Sequence, residues 1–164
     1  MRIYIAAFLF LHAGVALCAD VGTASFLAKT NAGFEVKGEK AKVSSSDLKK
    51  STNVNGTFEV MLKDFKTGMD LRDEHLCKAL ECDKYPKAVY KLSAPIEIKD
   101  GEASVSGDLT LHGVTKPFSG KAKVTGTEFK FAGDLKLADF GIKAPDYKLV
   151  KIEDLIKIEV SIKI

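Results

Sequence analysis

The chain has 164 residues, enough for one domain with a tail. Its 25 Lys and Arg nearly balance 22 Asp and Glu, and the two signs are interspersed from Lys37 to Lys163. That excludes a concentrated basic face for nucleic acid, and 46% hydrophobic with 29% charged residues excludes a disordered chain.

Met1-Arg2 gives a short positive start, and an apolar run from Ile3 to Leu17, interrupted at His12, ends in the small residues Cys18-Ala19. This is the layout of a secretory signal peptide over residues 1–19, followed by an exported domain over 20–164. Two alternatives are weighed against it. One is a membrane anchor, for which about 17 residues is the lower limit. The other is lipid attachment through Cys18, although Leu17 stands where a small residue is expected.

Export places Cys77 and Cys82 in a compartment where disulfides persist. In a continuous helix five residues rise about 7.5 Å and the two side chains diverge, so a bridge requires the helix to end near Glu81. A local disulfide is the reading adopted. A three-ligand metal site with His75 and two free thiols are its rivals.

Strands dominate the exported domain. Ala24–Thr30, Phe34–Val43 and Val89–Ala94 read as strands. Phe58, Val60 and Leu62 alternate with polar neighbours, as do Val105, Leu109 and Leu111. Phe129, Phe131, Leu135 and Leu137 continue the pattern, and Ile156, Ile158, Val160, Ile162 and Ile164 end it. Period two marks strands with one dry face. Asp100-Gly101 suggests a two-residue hairpin turn, Gly126 a second, and His112–Pro117 a tight corner. One helix is expected from Asp70, capped by Asp70, with Leu71, Leu76 and Leu80 inward. A second short helix is assigned to 148–154.

About eight antiparallel strands with one inserted helix avoid exposed edges best by closing into a barrel. Such a barrel is just wide enough for side chains or one small ligand. Phe26, Phe58, Phe131 and Phe140 fall on its inner face, either filling the barrel or lining a cavity.

Several matches to catalytic motifs are fragments. Ser46-Asp47-Leu48-Lys49 with Lys66-Thr67-Gly68 lacks the third β-lactamase element, and Asp139-Phe140-Gly141 lacks the other kinase loops. Asn55-Gly56-Thr57 is a sequon that reads more plainly as a turn. The cluster Asp70, Arg72, Asp73, Glu74 and His75 suits a helix start better than acid–base chemistry, since no nucleophile accompanies it.

That cluster belongs to a recognisable segment. Thr67-Gly68-Met69-Asp70-Leu71-Arg72-Asp73-Glu74-His75-Leu76, Tyr85-Pro86-Lys87-Ala88, the run from Gly107 to Pro117 and Asp139-Phe140-Gly141-Ile142 together resemble the YceI-like family. The resemblance covers about residues 23–164. It implies a lipocalin-like antiparallel β-barrel, exported to the bacterial periplasm, that binds polyisoprenoids or other long apolar chains such as quinone tails or fatty amides. Leu137 stands where the family usually has an arginine, and Thr23-Ala24-Ser25-Phe26 replaces its His-Ser opening. The expected binder is a non-enzymatic carrier with no cofactor and no metal. Transient contact with the membrane or a membrane redox protein is expected; the alternative is a non-catalytic interaction module of an envelope redox or stress-response system with a filled barrel, and a lipid enzyme using His75 or His112 is a third class. The expected ligand contacts are Phe26, Phe58, Val60, Leu62, Leu76, Leu109, Leu111, Phe131, Leu135, Phe140, Ile158 and Val160.

Overall fold

The computed structural model describes residues 19–50, 53–147 and 149–164. The proposed signal peptide and Cys18 therefore lie almost wholly outside the described residues. Eight strands form the body: β1 (Ala19–Thr30), β2 (Glu35–Ser45), β5 (Thr57–Met61), β6 (Lys87–Leu92), β8 (Gly101–Leu111), β9 (Val114–Thr125), β10 (Glu128–Lys136) and β12 (Val150–Lys163). They pair antiparallel in that order, and β12 returns to β1, so the sheet closes. The register Ala24↔Val160, Phe26↔Ile158 and Ala28↔Ile156 puts these apolar partners on the inside together. Outward positions of β12 carry Lys157, Glu159 and Lys163 in solvent. The alternation in sequence is thus the two faces of the wall.

Short elements close the ends. Strands β3 (Lys49–Lys50), β4 (Asn53–Asn55) and β7 (Ile96–Glu97) form a small separate sheet. Its Val54 and Ile96 are buried in one cluster with Val43, Val105, Val124, Phe129 and Ile162, which seals that end. Helix α1 (Asp70–Ala79) follows the third barrel strand, as expected, and lies at the opposite end. A two-residue strand β11 (Asp146–Tyr147) pairs with the start of β12 there.

Four local expectations are corrected. Residues 150–154 begin β12 rather than forming a helix, with Ile152 opposite Thr30. The pattern misleads because Asp154 takes an even, inward-parity position while Leu155 points out, inverting the alternation. Asp154 is retained there because its carboxylate accepts the Ala138 N–H at 2.8 Å. Asp100-Gly101 is not a hairpin turn, since β7 pairs with β4 and β6 pairs with β8. Asp70 is the first helical residue and caps nothing; Met69 precedes it without a side-chain cap. The corner at His112–Pro117 is confined to His112-Gly113. Both have positive φ, the two-residue turn that matches strand twist, and the ladder resumes at Val114 and runs through Pro117.

Candidate functional site

The barrel is hollow. A cavity of about 570 Å³ runs from the sealed end to the helix α1 end. Eleven of the twelve residues picked from the sequence line it: Phe26, Phe58, Val60, Leu62, Leu76, Leu109, Leu111, Phe131, Leu135, Ile158 and Val160. Phe140 is the exception. It sits in a 3-10 turn, Leu137–Phe140, where Leu137 faces the cavity and Phe140 packs into the wall cluster with Cys82, Leu111 and Ile142. Leu62 likewise reaches the cavity from a 3-10 turn, Leu62–Asp64, rather than from a strand.

The packing of the aromatic rings keeps the centre clear. Phe26 lies over Gly38, Tyr90 over Gly107, Phe131 over Gly120, and Phe118 against Gly133. Each of these glycines sits at an inward register position, so the ring occupies the place a side chain would fill and lies along the wall. Phe118 and Phe131 meet edge to face at 5.7 Å, and Tyr90 contacts both. The Tyr90 hydroxyl donates to the Phe118 carbonyl at 3.0 Å. Burial, followed by the nearby Asp108 charge, pushes the Tyr90 phenol up to about 12. Its polar atom is therefore satisfied and neutral, and the lumen beside it stays apolar. Val60, Ile158 and Val160 are inward but only half-buried, because their open side is the cavity.

Polarity is confined to one end. Apart from Tyr90, whose hydroxyl is bonded to the wall, the polar lining residues are Thr30, Thr67, Arg72, His75 and Asp146, on helix α1 or on the strand ends and loop beside it. Arg72 donates through Nη2 to the Thr67 carbonyl at 2.8 Å, while its Nε is buried without a partner. Asp73 accepts from the Thr67 hydroxyl and amide, at 2.6 and 2.8 Å. Those bonds, led by the hydroxyl, hold its carboxyl below the usual carboxylate range. The charged cluster at the helix start is thus a clamp that fixes the segment before the helix.

Helix α1 itself buries none of its residues, yet Leu71, Leu76 and Ala79, with the adjoining Leu80, face the cavity. It lies across part of the opening, with Met69 and Leu71 at its start facing both lumen and solvent. The helix ends where the cysteine spacing requires. Glu81 takes a left-handed conformation, Cys82 N–H bonds the Cys77 carbonyl and Glu81 N–H bonds the Lys78 carbonyl. This is a Schellman motif, and the Cys77–Cys82 disulfide joins the two positions that usually make its hydrophobic contact. A left-handed non-glycine costs roughly 1–2 kcal/mol, so the bridge holds a conformation that Glu81 alone disfavours. Reduction should lower global stability by about 2 kcal/mol for so short a loop. Hydrogen exchange at Leu80–Cys82 should accelerate before the barrel amides do; unchanged exchange there would contradict this role.

His112 is also structural. Its ring packs tilted against Tyr85 with centroids 4.6 Å apart, Nδ1 lies 3.2 Å from the Phe140 carbonyl oxygen, and Nε2 is 3.7 Å from Glu81. It braces the end of helix α1 against the wall and does not line the cavity.

A closed antiparallel barrel around an apolar lumen is the architecture of barrels that carry small ligands. The YceI-like domain matches residues 18–164, and the chain belongs to that family. In sequence it is similar to a UPF0312 protein of Pseudomonas putida, 41% identical over 86 residues, covering 45% of this chain and 45% of the relative. The chain thus covers less than half the length of that relative. In fold it is similar to a polyisoprenoid-binding domain from Saccharophagus degradans implicated in plant cell wall breakdown. That likeness has a TM-score of 0.63 at 13% identity and covers 89% of this chain and 95% of the other. It is also similar to Burkholderia cenocepacia BcnA, with a TM-score of 0.69 at 17% identity, covering 88% and 99%.

Proposed function

We propose that this protein binds one long-chain apolar lipid, such as a polyisoprenoid, a quinone tail or a fatty amide, and carries it inside the barrel. The observation that supports this most is the polarity of the cavity: an apolar lumen sealed at one end, whose polar lining residues gather at the other except for Tyr90, and the Tyr90 hydroxyl is spent on the Phe118 carbonyl. That is the complement of a molecule with a long hydrocarbon tail and a single polar end. The polyisoprenoid-binding domain of Saccharophagus, which has the same fold, supports the same ligand class.

The protein acts as a binder rather than a catalyst. His112 is engaged in bracing the wall, and His75 stands at the opening beside Arg72 and Asp146. The apparent signal peptide and the Cys77–Cys82 bridge support action in the periplasm. The twelve residues selected from the sequence are the proposed tail contacts, except Phe140, and Arg72 is the proposed contact for the polar end. Protein stripped of lipid should take up one long-chain prenol per barrel in a fluorescence displacement titration. Absence of saturable uptake would contradict the carrier role.

A further inference from the structure

Among the described residues six large apolar side chains stand exposed, and they are not scattered. Phe34, Met69, Leu71 and Leu149 gather at the helix α1 end, while Met61 and Leu155 lie elsewhere. Met69 and Leu71 also line the cavity. Phe34 closes the β1–β2 turn, with its backbone N–H and carbonyl both bonded to Thr30, another lining residue. Leu149 is 88% exposed, precedes the lining residue Val150, and is tied through its carbonyl to Asn31 in that same turn. Three loops therefore present apolar tips around one opening, and the apolar surface continues from these tips into the lumen.

The charges that flank the tips cancel. In sequence, Lys29, Lys66, Arg72, Lys148 and Lys151 are matched by Glu35, Asp70, Asp73, Glu74 and Asp146. A rim of this kind has no net field to steer it toward an anionic surface, and none that opposes contact with a zwitterionic one. Exposed apolar patches framed by polar residues mark contact surfaces, and apolar side chains on a surface element insert at the headgroup–acyl boundary of a bilayer.

We propose that the helix α1 end docks on a zwitterionic phospholipid bilayer by inserting Phe34, Met69, Leu71 and Leu149, so that the cavity opens directly against the membrane. Apolar cargo then passes between lumen and bilayer without crossing water. Docking is a property of the rim and does not depend on which lipid the cavity accepts.

The test is cosedimentation of the lipid-free protein with phosphatidylcholine vesicles, with and without added phosphatidylglycerol, at low and high salt. The wild type should partition equally onto both vesicle types and ignore salt. Each inserted side chain contributes about tenfold, so Phe34→Ser with Leu149→Ser should weaken partitioning about a hundredfold. Both positions are exposed, so the fold is unaffected. Leu155→Ser, on the barrel wall, should behave as wild type. The proposal is overturned by no sedimentation of the wild type, by equal loss from the wall variant, or by binding that requires phosphatidylglycerol and is lost in salt. A concentration-dependent dimer abolished by the rim variant would overturn it too, by assigning the rim to a second copy of the chain. Prenol uptake measured separately distinguishes failure of docking from failure of the carrier role.

Discussion

Replacing Val160 by tryptophan should leave the barrel folded and abolish its capacity for a long-chain lipid. Val160 sits inward on β12 between Phe131 of β10 and Ala24 of β1, and is only half-buried because its open side faces the lumen. Adding ring volume to a close-packed core costs about 1–3 kcal/mol, and a domain of this size loses roughly 2–4 °C in Tm per kcal/mol. A tryptophan at position 160 instead extends into space that is already empty. Its expected cost is below about 1 kcal/mol, while the volume left for a tail shrinks enough to reduce uptake a hundredfold or more. Ala41→Trp supplies the contrast, since Ala41 is inward, fully buried and away from the cavity. That variant should show the full overpacking loss. Thermal unfolding and prenol uptake on the two variants separate a hollow barrel from a filled one, and equal destabilisation would indicate a filled barrel.

Affinity should rise steeply with tail length and then level off. Each methylene buried in the lumen contributes about 0.8 kcal/mol, or roughly fourfold in affinity. Association costs roughly 4–15 kcal/mol before any affinity is visible, so short prenols should hardly bind. The rise ends when the cavity of about 570 Å³ is occupied, because further carbons remain at the opening. A titration across a series of prenols sharing one polar end should therefore show a slope and a plateau, with a negative heat-capacity change along the slope. A flat series would mean that the polar end dominates recognition, and the apolar lumen would then be incidental.

The wall of this barrel is legible in the sequence because one face of each long strand is wet. In β12 the isoleucines and valines alternate with lysines and glutamate, and the register pairs them with the inward residues of β1 and β10. Where that contrast fails, the pattern fails with it. Asp154 and Leu155 exchange their usual faces because the Asp154 carboxylate is committed to the Ala138 amide, and the start of β12 then looks helical. The sealing sheet of β3, β4 and β7 has strands of two or three residues, too short to carry a period. The disulfide is legible from spacing, because five residues permit a bridge only across a helix end.

The hollowness is not legible. It depends on which way the rings turn, and that is decided by glycines on the adjoining strand: Gly38 beneath Phe26 and Gly120 beneath Phe131 are matched to their rings by cross-strand register, which the period-two pattern of a single strand does not carry. The polar end is legible only in part. Arg72 and His75 stand out as members of a charged cluster, but their place at the opening depends on how helix α1 crosses the barrel. Thr30 ends β1 and Asp146 begins the two-residue β11, where no local signal marks them, and they meet the cluster only in the folded chain.

One long-chain lipid inside one barrel is the central claim, and native mass spectrometry tests it most directly. The protein should be isolated from its own host without detergent, beside a portion unfolded and washed free of lipid. The expected result is a folded species carrying a single long-chain lipid, which disappears from the washed portion and returns when prenols, quinones or fatty amides are supplied. A barrel that is empty on isolation and remains empty after exposure to all three would contradict it.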